Sequence, residues 1–211
     1  LNYELGLKAD LFDNTLRLNT AFFHTDYKNV QYQSFGPRPG IIEFGIFRTA
    51  NLRRARAQGV EVEYLWLPTD NFTLSGSYGY LRAKYRDANL VNSAFGAQSG
   101  QDMIRSPRHK YSINGEYVFN QLGNLPGSLA VSANYRYTGD QRGELEPYAI
   151  QPSHGIADAR LTWTSPGEQY EISAWVKNLA DEEYITHVYT IGSEVLGVFG
   201  DPRMYGVSLT Y

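Results

Sequence analysis

Apolar residues recur at every second position in about nine separate stretches of this chain, and a side-chain period of two specifies strands, not amphipathic helices. Tyr3, Leu5, Leu7 and Ala9 alternate with Glu4, Gly6 and Lys8. The same pattern runs through Val60–Trp66, Phe72–Tyr80, Tyr111–Phe119, Leu129–Tyr137, Ala157–Trp163, Tyr170–Val176 and Tyr205–Tyr211. Leu16–Tyr27 is less regular, and its phase reads as slipping near Phe22 and Phe23, as at a β-bulge. Most stretches approach the roughly 9–11 residues that a tilted strand needs to cross a bilayer.

Alternation alone does not separate a soluble sandwich from a membrane barrel, since either can have one apolar and one polar face. The connections do. Short turns rich in Asp, Asn, Gly and Pro lie at Leu11–Asn14, Pro68–Asn71, Asn120–Gly127 and Ser165–Glu168. Between them the long connections fall at 31–56, 87–107, 139–155 and 179–202. Short and long alternate throughout, as in outer-membrane barrels with short turns at one rim and long loops at the other. Tyr64, Trp66, Phe72, Phe119 and Trp163 cluster at the short-turn end, like an interfacial aromatic girdle.

Composition narrows the function classes. The 19 Lys and Arg stand against 22 Asp and Glu, so no basic face is expected and no nucleic-acid partner. With no cysteine, there is no disulfide, thiolate nucleophile or cysteine metal site. No apolar run reaches the ~18 residues of a spanning helix. The 17 tyrosines and 20 glycines suit β structure whose polar and apolar faces cancel in the average. An odd strand count with termini at opposite rims predicts part of a larger barrel.

Several spaced motifs carry a family resemblance. Asn178-Leu179-Ala180-Asp181-Glu182-Glu183-Tyr184 is similar to the Asn-Leu-x-Asp-x-x-Tyr signature of TonB-dependent outer-membrane receptors. Gly200 through Tyr211, with Pro202 and Arg203, resembles their terminal strand, and Tyr211 stands in phase where these barrels commonly run on to a terminal Phe. Ala55–Glu63, Gly79–Tyr85 and Ser106–Tyr111 resemble neighbouring family patterns. The resemblance implies an all-β fold: an antiparallel transmembrane β-barrel segment supplying about nine strands of an about 22-stranded, plugged barrel. Residues 1–211 are then the C-terminal part of that barrel, with the plug domain absent from the chain. It further implies a Gram-negative outer membrane and TonB-coupled uptake of a scarce large solute such as a ferric siderophore. The implied partners are outer-membrane lipid and lipopolysaccharide, the plug, TonB and a small iron chelate. No cofactor is implied. A passive plugless porin is the alternative, and an outer-membrane hydrolase or a soluble β-sandwich stands further off.

Candidate chemistry is sparse. His24, His109, His154 and His187 lack the spacing of a metal site. Ser153 and His154 beside Asp158 have no nucleophile elbow, and adjacent strand residues point to opposite faces, so no catalytic residues are expected. Phe95–Gly100 reads as a flexible loop and not a phosphate cradle. Arg48, Arg53, Arg54 and Arg56 form a rim cluster suited either to an anionic chelate or, more readily, to lipopolysaccharide contact or a solvated rim. Arg82, Lys84 and Arg86 are expected on the face opposite Tyr78 and Tyr80, hence toward the lumen. With Arg136, Arg142, His187 and Tyr189 they form the expected ligand path, each with an ordinary lumen ion pair as the competing role.

Overall fold

The computed structural model describes residues 1–38, 41–87, 99–145, 148–191 and 194–211, with side chains for all of these except 32–38, 41–48, 50 and 191. The strands are β1 (Asn2–Leu11), β2 (Leu16–Arg38), β3 (Ile41–Thr69), β4 (Phe72–Asp87), β5 (His109–Phe119), β6 (Ser128–Thr138), β7 (Gln141–Arg142), β8 (Ile150–Gln151), β9 (His154–Thr164), β10 (Glu171–Lys177), β11 (Ile185–Ile191), β12 (Glu194–Phe199) and β13 (Met204–Thr210). Nine of them make one antiparallel sheet in the order β1-β2-β3-β4-β5-β6-β9-β10-β13, while β7–β8 and β11–β12 are hairpins inserted in its connections. The expected antiparallel sheet of nine strands is therefore present.

The pairing shows why alternation was so regular. One row across the sheet reads Leu7, Thr20, Val62, Tyr78, Tyr111, Tyr137, and the adjacent row, pointing the other way, reads Lys8, Asn19, Glu63, Ser77, Ser112, Arg136. One face is thus almost entirely apolar and the other polar. Large apolar side chains stand exposed along the first face, among them Leu5, Phe22, Ile113, Val131, Leu161 and Val207. In water such a surface would be an aggregation hazard; against lipid it costs nothing, because the strands satisfy each other's backbone groups.

Aromatic belts bound this apolar face at both ends. At the short-turn end the Tyr117 and Phe119 rings lie 4.6 Å apart, and Trp163 Nε1 donates to the Pro126 carbonyl at 2.8 Å. At the other end Tyr80 lies tilted against His109 at 5.3 Å and Tyr111 stacks on Tyr137 at 5.0 Å, with Tyr78 Oη and His109 Nδ1 2.9 Å apart. The first turn is built by Phe12, Asp13 and Asn14, all left-handed, closed by Thr15 N–H and Oγ1 donating to the Phe12 carbonyl. Short polar residues tolerate that backbone; Phe12 is the costly member.

Three expectations need correction. The segment 31–56 is not an open loop: β2 and β3 stay paired out to Arg38 and Ile41, so most of it is a projecting hairpin. The segment lacks the two-residue hydrophobic pattern that marks the other strands, so period did not reveal it. There is no bulge at Phe22 and Phe23, since the β1–β2 and β2–β3 registers run through unbroken. Phe23 simply faces the polar side, lying over Gly59, where a Cβ would come within 2.9 Å of its ring. Finally, Arg82 and Lys84 share the face of Tyr78 and Tyr80, because β3–β4 pairing is unshifted from Ala55 to Trp66. Arg86 lies beyond that stretch, at a register shift. The inward positions of β4 are taken by Ala83 and Tyr85, both buried, whereas Arg82 and Arg86 are exposed.

The connections 139–155 and 179–202 carry the two inserted hairpins, and 99–108 runs alongside the end of β4 through Tyr85 N–H to the Gln101 carbonyl and Met103 N–H to the Ala83 carbonyl, both at 3.0 Å. Leu145 joins Leu52, Ala55 and Tyr85 in a buried cluster flanked by Val30, Met103 and Ile104. This small core sits on the inner face, beyond the apolar band. Residues 95–98 of the glycine-containing loop lie outside the described residues.

Candidate functional site

Two of the cavities on the polar face bear on function. The larger, about 660 Å³, sits midway along the wall and is lined by residues of six strands, including Asn114, Glu116, Asn134, Asp158, Arg160 and Lys177. Asn134 Oδ1 there is buried and receives no hydrogen bond from the described residues. The second, about 490 Å³, lies beneath the long connections, and Glu61, Arg105, Lys110, Gln141, Gln151 and His187 reach it.

The upper cavity is built by interlocked loops. Arg105, left-handed at φ 52°, donates its N–H to the Arg142 carbonyl at 2.8 Å, tying 99–108 to β7. Gln141 Nε2 donates to Gln151 Oε1 at 2.9 Å, and Gln151 Nε2 donates to the Ile185 carbonyl at 2.7 Å, tying β7 and β8 to β11. Gln151 is buried, so each of these bonds carries the penalty of leaving an amide unsatisfied if lost, about 1–3 kcal/mol. The Arg105 guanidinium Nη2 comes to 3.3 Å from His187 Nδ1, and His187 stacks with Tyr189 at 5.8 Å. Two fixed cations, Arg105 and Lys110, thus share the space with one carboxylate, Glu61, and a row of amides. Such a mouth favours an anionic ligand with several oxygen acceptors, because guanidinium and ammonium donors strengthen outside bulk water.

The expected ligand residues divide. His187 lines this cavity and Tyr189 supports it by stacking. Arg142 contributes its backbone to the same loop lock. Arg136 is on the inner face but bound to Asp158 at 3.0 Å, an ordinary wall ion pair. Arg82, Lys84 and Arg86 are not brought to the cavity; Lys84 instead pairs with Asp102 at 3.2 Å. In the rim cluster, Arg56 binds Asp26 at 2.7 Å and Arg53 lies 3.9 Å from Asp87, while the Arg48 side chain lies outside the described ones. Of the residues not anticipated, Lys110 was legible, since it shares the parity of Ser112 and Asn114. Arg105 and Gln151 sit in irregular segments where period carries no information.

The terminal motif is a structural clip. Asn178, buried and left-handed at φ 51°, donates its N–H to Asp158 Oδ1 at 2.9 Å. Its Nδ2 donates to the Glu182 and Asp201 carbonyls at 2.9 and 3.2 Å, and its Oδ1 accepts from Glu182 N–H at 2.9 Å. Asp181 Oδ1 accepts the Arg203 N–H at 2.9 Å, and the two side chains pair at 3.6 Å. Tyr184 lies flat on Gly200, where a Cβ would fall 2.0 Å from its ring, and stacks on His154 at 4.9 Å. Asn178, Asp181, Tyr184 and Arg203 therefore lock the return of the chain from β10 into β13, while Leu179 remains exposed.

The comparisons agree with this architecture. The family described as "TonB dependent receptor-like, beta-barrel" matches residues 1–179. The chain is 30% identical over 212 residues to the metal-pseudopaline receptor CntO of Pseudomonas aeruginosa PAO1, covering 99% of this chain and 27% of that protein. It is 28% identical to the pesticin receptor of Yersinia enterocolitica, covering 99% and 28%. Among solved structures it superposes on the ferric yersiniabactin uptake receptor FyuA of Yersinia pestis with a TM-score of 0.78, at 22% identity, covering 99% of this chain and 29% of that one. The siderophore receptor PiuA of Acinetobacter baumannii gives 0.75 at 21% identity, covering 99% and 27%. The chain spans less than a third of the length of these relatives. With an apolar band between two aromatic belts, a polar inner face and loops interlocked over it, this chain belongs to the TonB-dependent receptor β-barrel family.

Proposed function

We propose that the chain is the C-terminal wall of an outer-membrane receptor of about 22 strands that imports a metal chelate, most simply a ferric siderophore, with energy delivered through TonB. The observation carrying this reading is the loop-roofed cavity on the inner face, where Arg105, Lys110 and His187 face a space of about 490 Å³. A chelate that wraps a metal in carboxylate or catecholate oxygens offers the acceptors that such donors bind. The receptor names of the relatives, for metal-pseudopaline and for a siderophore among them, support the solute class. The mid-wall cavity, with its unmatched Asn134 acceptor, is where a plug domain would supply donors. The exposed edges of β1 and β13 would take neighbouring strands, since an open edge in lipid leaves backbone groups unpaired.

The test is uptake of radiolabelled ferric chelates by iron-starved cells carrying the full-length receptor, with and without TonB. Accumulation that needs both is the expected result. Uptake that persists without TonB would indicate a passive channel and overturn the reading.

A further inference from the structure

Aromatic rings in this wall stand on its outer face, with one exception deep inside. Along the nine sheet strands, below the row of Phe22, Val60 and Tyr80, Trp175 carries the one indole, phenyl or phenol ring that points inward among the described residues. Register fixes that direction. Trp175 pairs with Arg160 on β9 and Gly206 on β13, in the inner row that continues through Ser132 and Glu116. The indole lies face-on to β13, since a Cβ on Gly206 would come 2.5, 2.9 and 3.1 Å from three of its ring atoms. Its Nε1–H donates to Ser208 Oγ at 3.2 Å, which fixes the ring in that orientation. One face of the indole is therefore covered by the strand and the other is turned to the mid-wall cavity, where Lys177 Nζ stands 5.7 Å from the ring centroid.

The charges around this ring select an anion. Arg160 and Lys177 line the cavity, and neither makes an ion pair among the described residues; the one hydrogen bond of the Arg160 guanidinium there goes to Ser173 Oγ at 3.5 Å. Asp158 is already held by Arg136 at 3.0 Å and by the Asn178 N–H at 2.9 Å. Glu116 stands two strands from Arg160, roughly 10 Å across the sheet. A fixed indole face between two unpaired cations fits a planar aryl group bearing anionic oxygens: the ring stacks on the indole while ammonium and guanidinium meet the oxygens. We propose that Trp175, Lys177 and Arg160 form a second binding station, inside the lumen, for metal chelates whose ligating oxygens are carried on aromatic rings. From Lys110 of the upper cavity to Glu116 of this row is six residues along β5, roughly 20 Å, so the two stations hold a chelate at successive points and not together. The station rests on the transport reading above and narrows its solute class. Because the plug faces the same cavity in that reading, the station serves a chelate only after the plug shifts, and its loss slows transit without weakening capture outside.

The test follows radiolabelled ferric tris-catecholate and ferric tris-hydroxamate complexes in iron-starved cells carrying the full-length receptor and TonB. Binding is read on chilled cells, the maximal uptake rate on warm ones, and folding from heat-modifiable migration. Trp175→Ala is expected to lower the maximal rate of catecholate uptake roughly fivefold, the size of one lost aromatic stack, with chilled binding unchanged. Trp175→Phe should keep most of the rate and Lys177→Gln should lose roughly half of it, so the question stays answerable if Trp175→Ala folds poorly. A parental rate in the folded variants overturns the proposal. An equal fall in chilled binding, or in hydroxamate uptake, overturns it as well, and so does entry of a large antibiotic into Trp175→Ala cells, which would make Trp175 a seat for the plug. A parent that imports the hydroxamate but not the catecholate overturns the aryl station and leaves the transport reading standing. One that imports neither breaks the transport reading, and the station with it.

Discussion

The same three strands have opposite faces in two parts of the molecule. Below the row of Phe22, Val60 and Tyr80, β2–β4 are apolar outside and polar inside, as Val62 and Tyr78 stand against Glu63 and Ser77. Above it the outside carries Arg56, Lys84 and Arg82, and the inside carries buried Ala83 with Ala55 and Tyr85, the latter two packed with Leu145. From Trp66 up to Ala55 the backbone period does not change; the solvent does. Lipid demands an apolar exterior and leaves the interior wet, whereas beyond the membrane water wets the outside and folded loops dry the inside. A two-residue pattern reports which faces differ, and only the surroundings decide which of them is inward.

The comparison can be broken at its buried end first. Leu52 is 1% exposed at the centre of the upper cluster. Leu52→Ala should cost about 2–5 kcal/mol of local stability, read as faster proteolytic cleavage of the long connections in the full-length receptor. Unaltered cleavage would mean that the loops are held by something other than this core. Next, a charge placed outward in the band should be expensive and one placed outward above it cheap. Ile113→Arg, outward between the two belts, is expected to cost about 2–4 kcal/mol and Gln58→Arg about 0–1 kcal/mol, measured by urea unfolding in vesicles. Equal costs would erase the boundary drawn at Phe22, Val60 and Tyr80.

Smaller effects sharpen the same contrast. Asn178→Ala removes the amide that binds Glu182 and Asp201 and leaves the Glu182 N–H without its acceptor, a loss of about 1–3 kcal/mol. Hydrogen exchange should rise at 178–184 and 200–203 while the β4–β5 wall is unchanged. The smallest effect concerns Asp102 in the loop beside β4. Its burial pushes the carboxyl up, but the hydrogen bonds and charges of Lys84 and Arg108 outweigh it and hold the group below the usual carboxylate range. A lowered folded value means the pairing contributes stability that is complete above about pH 4 and is lost as pH falls through that lowered value. Exchange at 99–108 should therefore increase on acidification in the parent protein and be much less pH-dependent in Asp102→Asn.

Much of the wall was legible because its chemistry is repetitive. Tyr111, Ile113 and Tyr117 against Ser112, Asn114 and Glu116 placed β5 and both of its faces without any structure. The turns at 11–14 and 165–168 followed from residues that accept left-handed or tight backbone. The site was less legible. Lys110 follows the parity of its strand, but Arg105 and Gln151 come from connections whose position depends on bonds to Arg142 and Ile185. The misassigned Arg82 and Lys84 show the opposite failure. Their parity was fixed by Tyr78 and Tyr80, yet charge suggested a lumen that the register denies them.

By itself the sequence determined the strands, their order of short and long connections, the apolar band and the motif that closes the chain. Each is set by local alternation, turn chemistry or a compact run of residues, and none needs distant partners. Tertiary structure alone decided that 31–56 is a paired hairpin, that three connections interlock through Gln151 and Arg105, and that a core forms around Leu52 beyond the membrane. The hairpin pairs neighbouring segments that carry no two-residue period, and the other two features rest on contacts between segments far apart in the chain, where burial comes from folding itself.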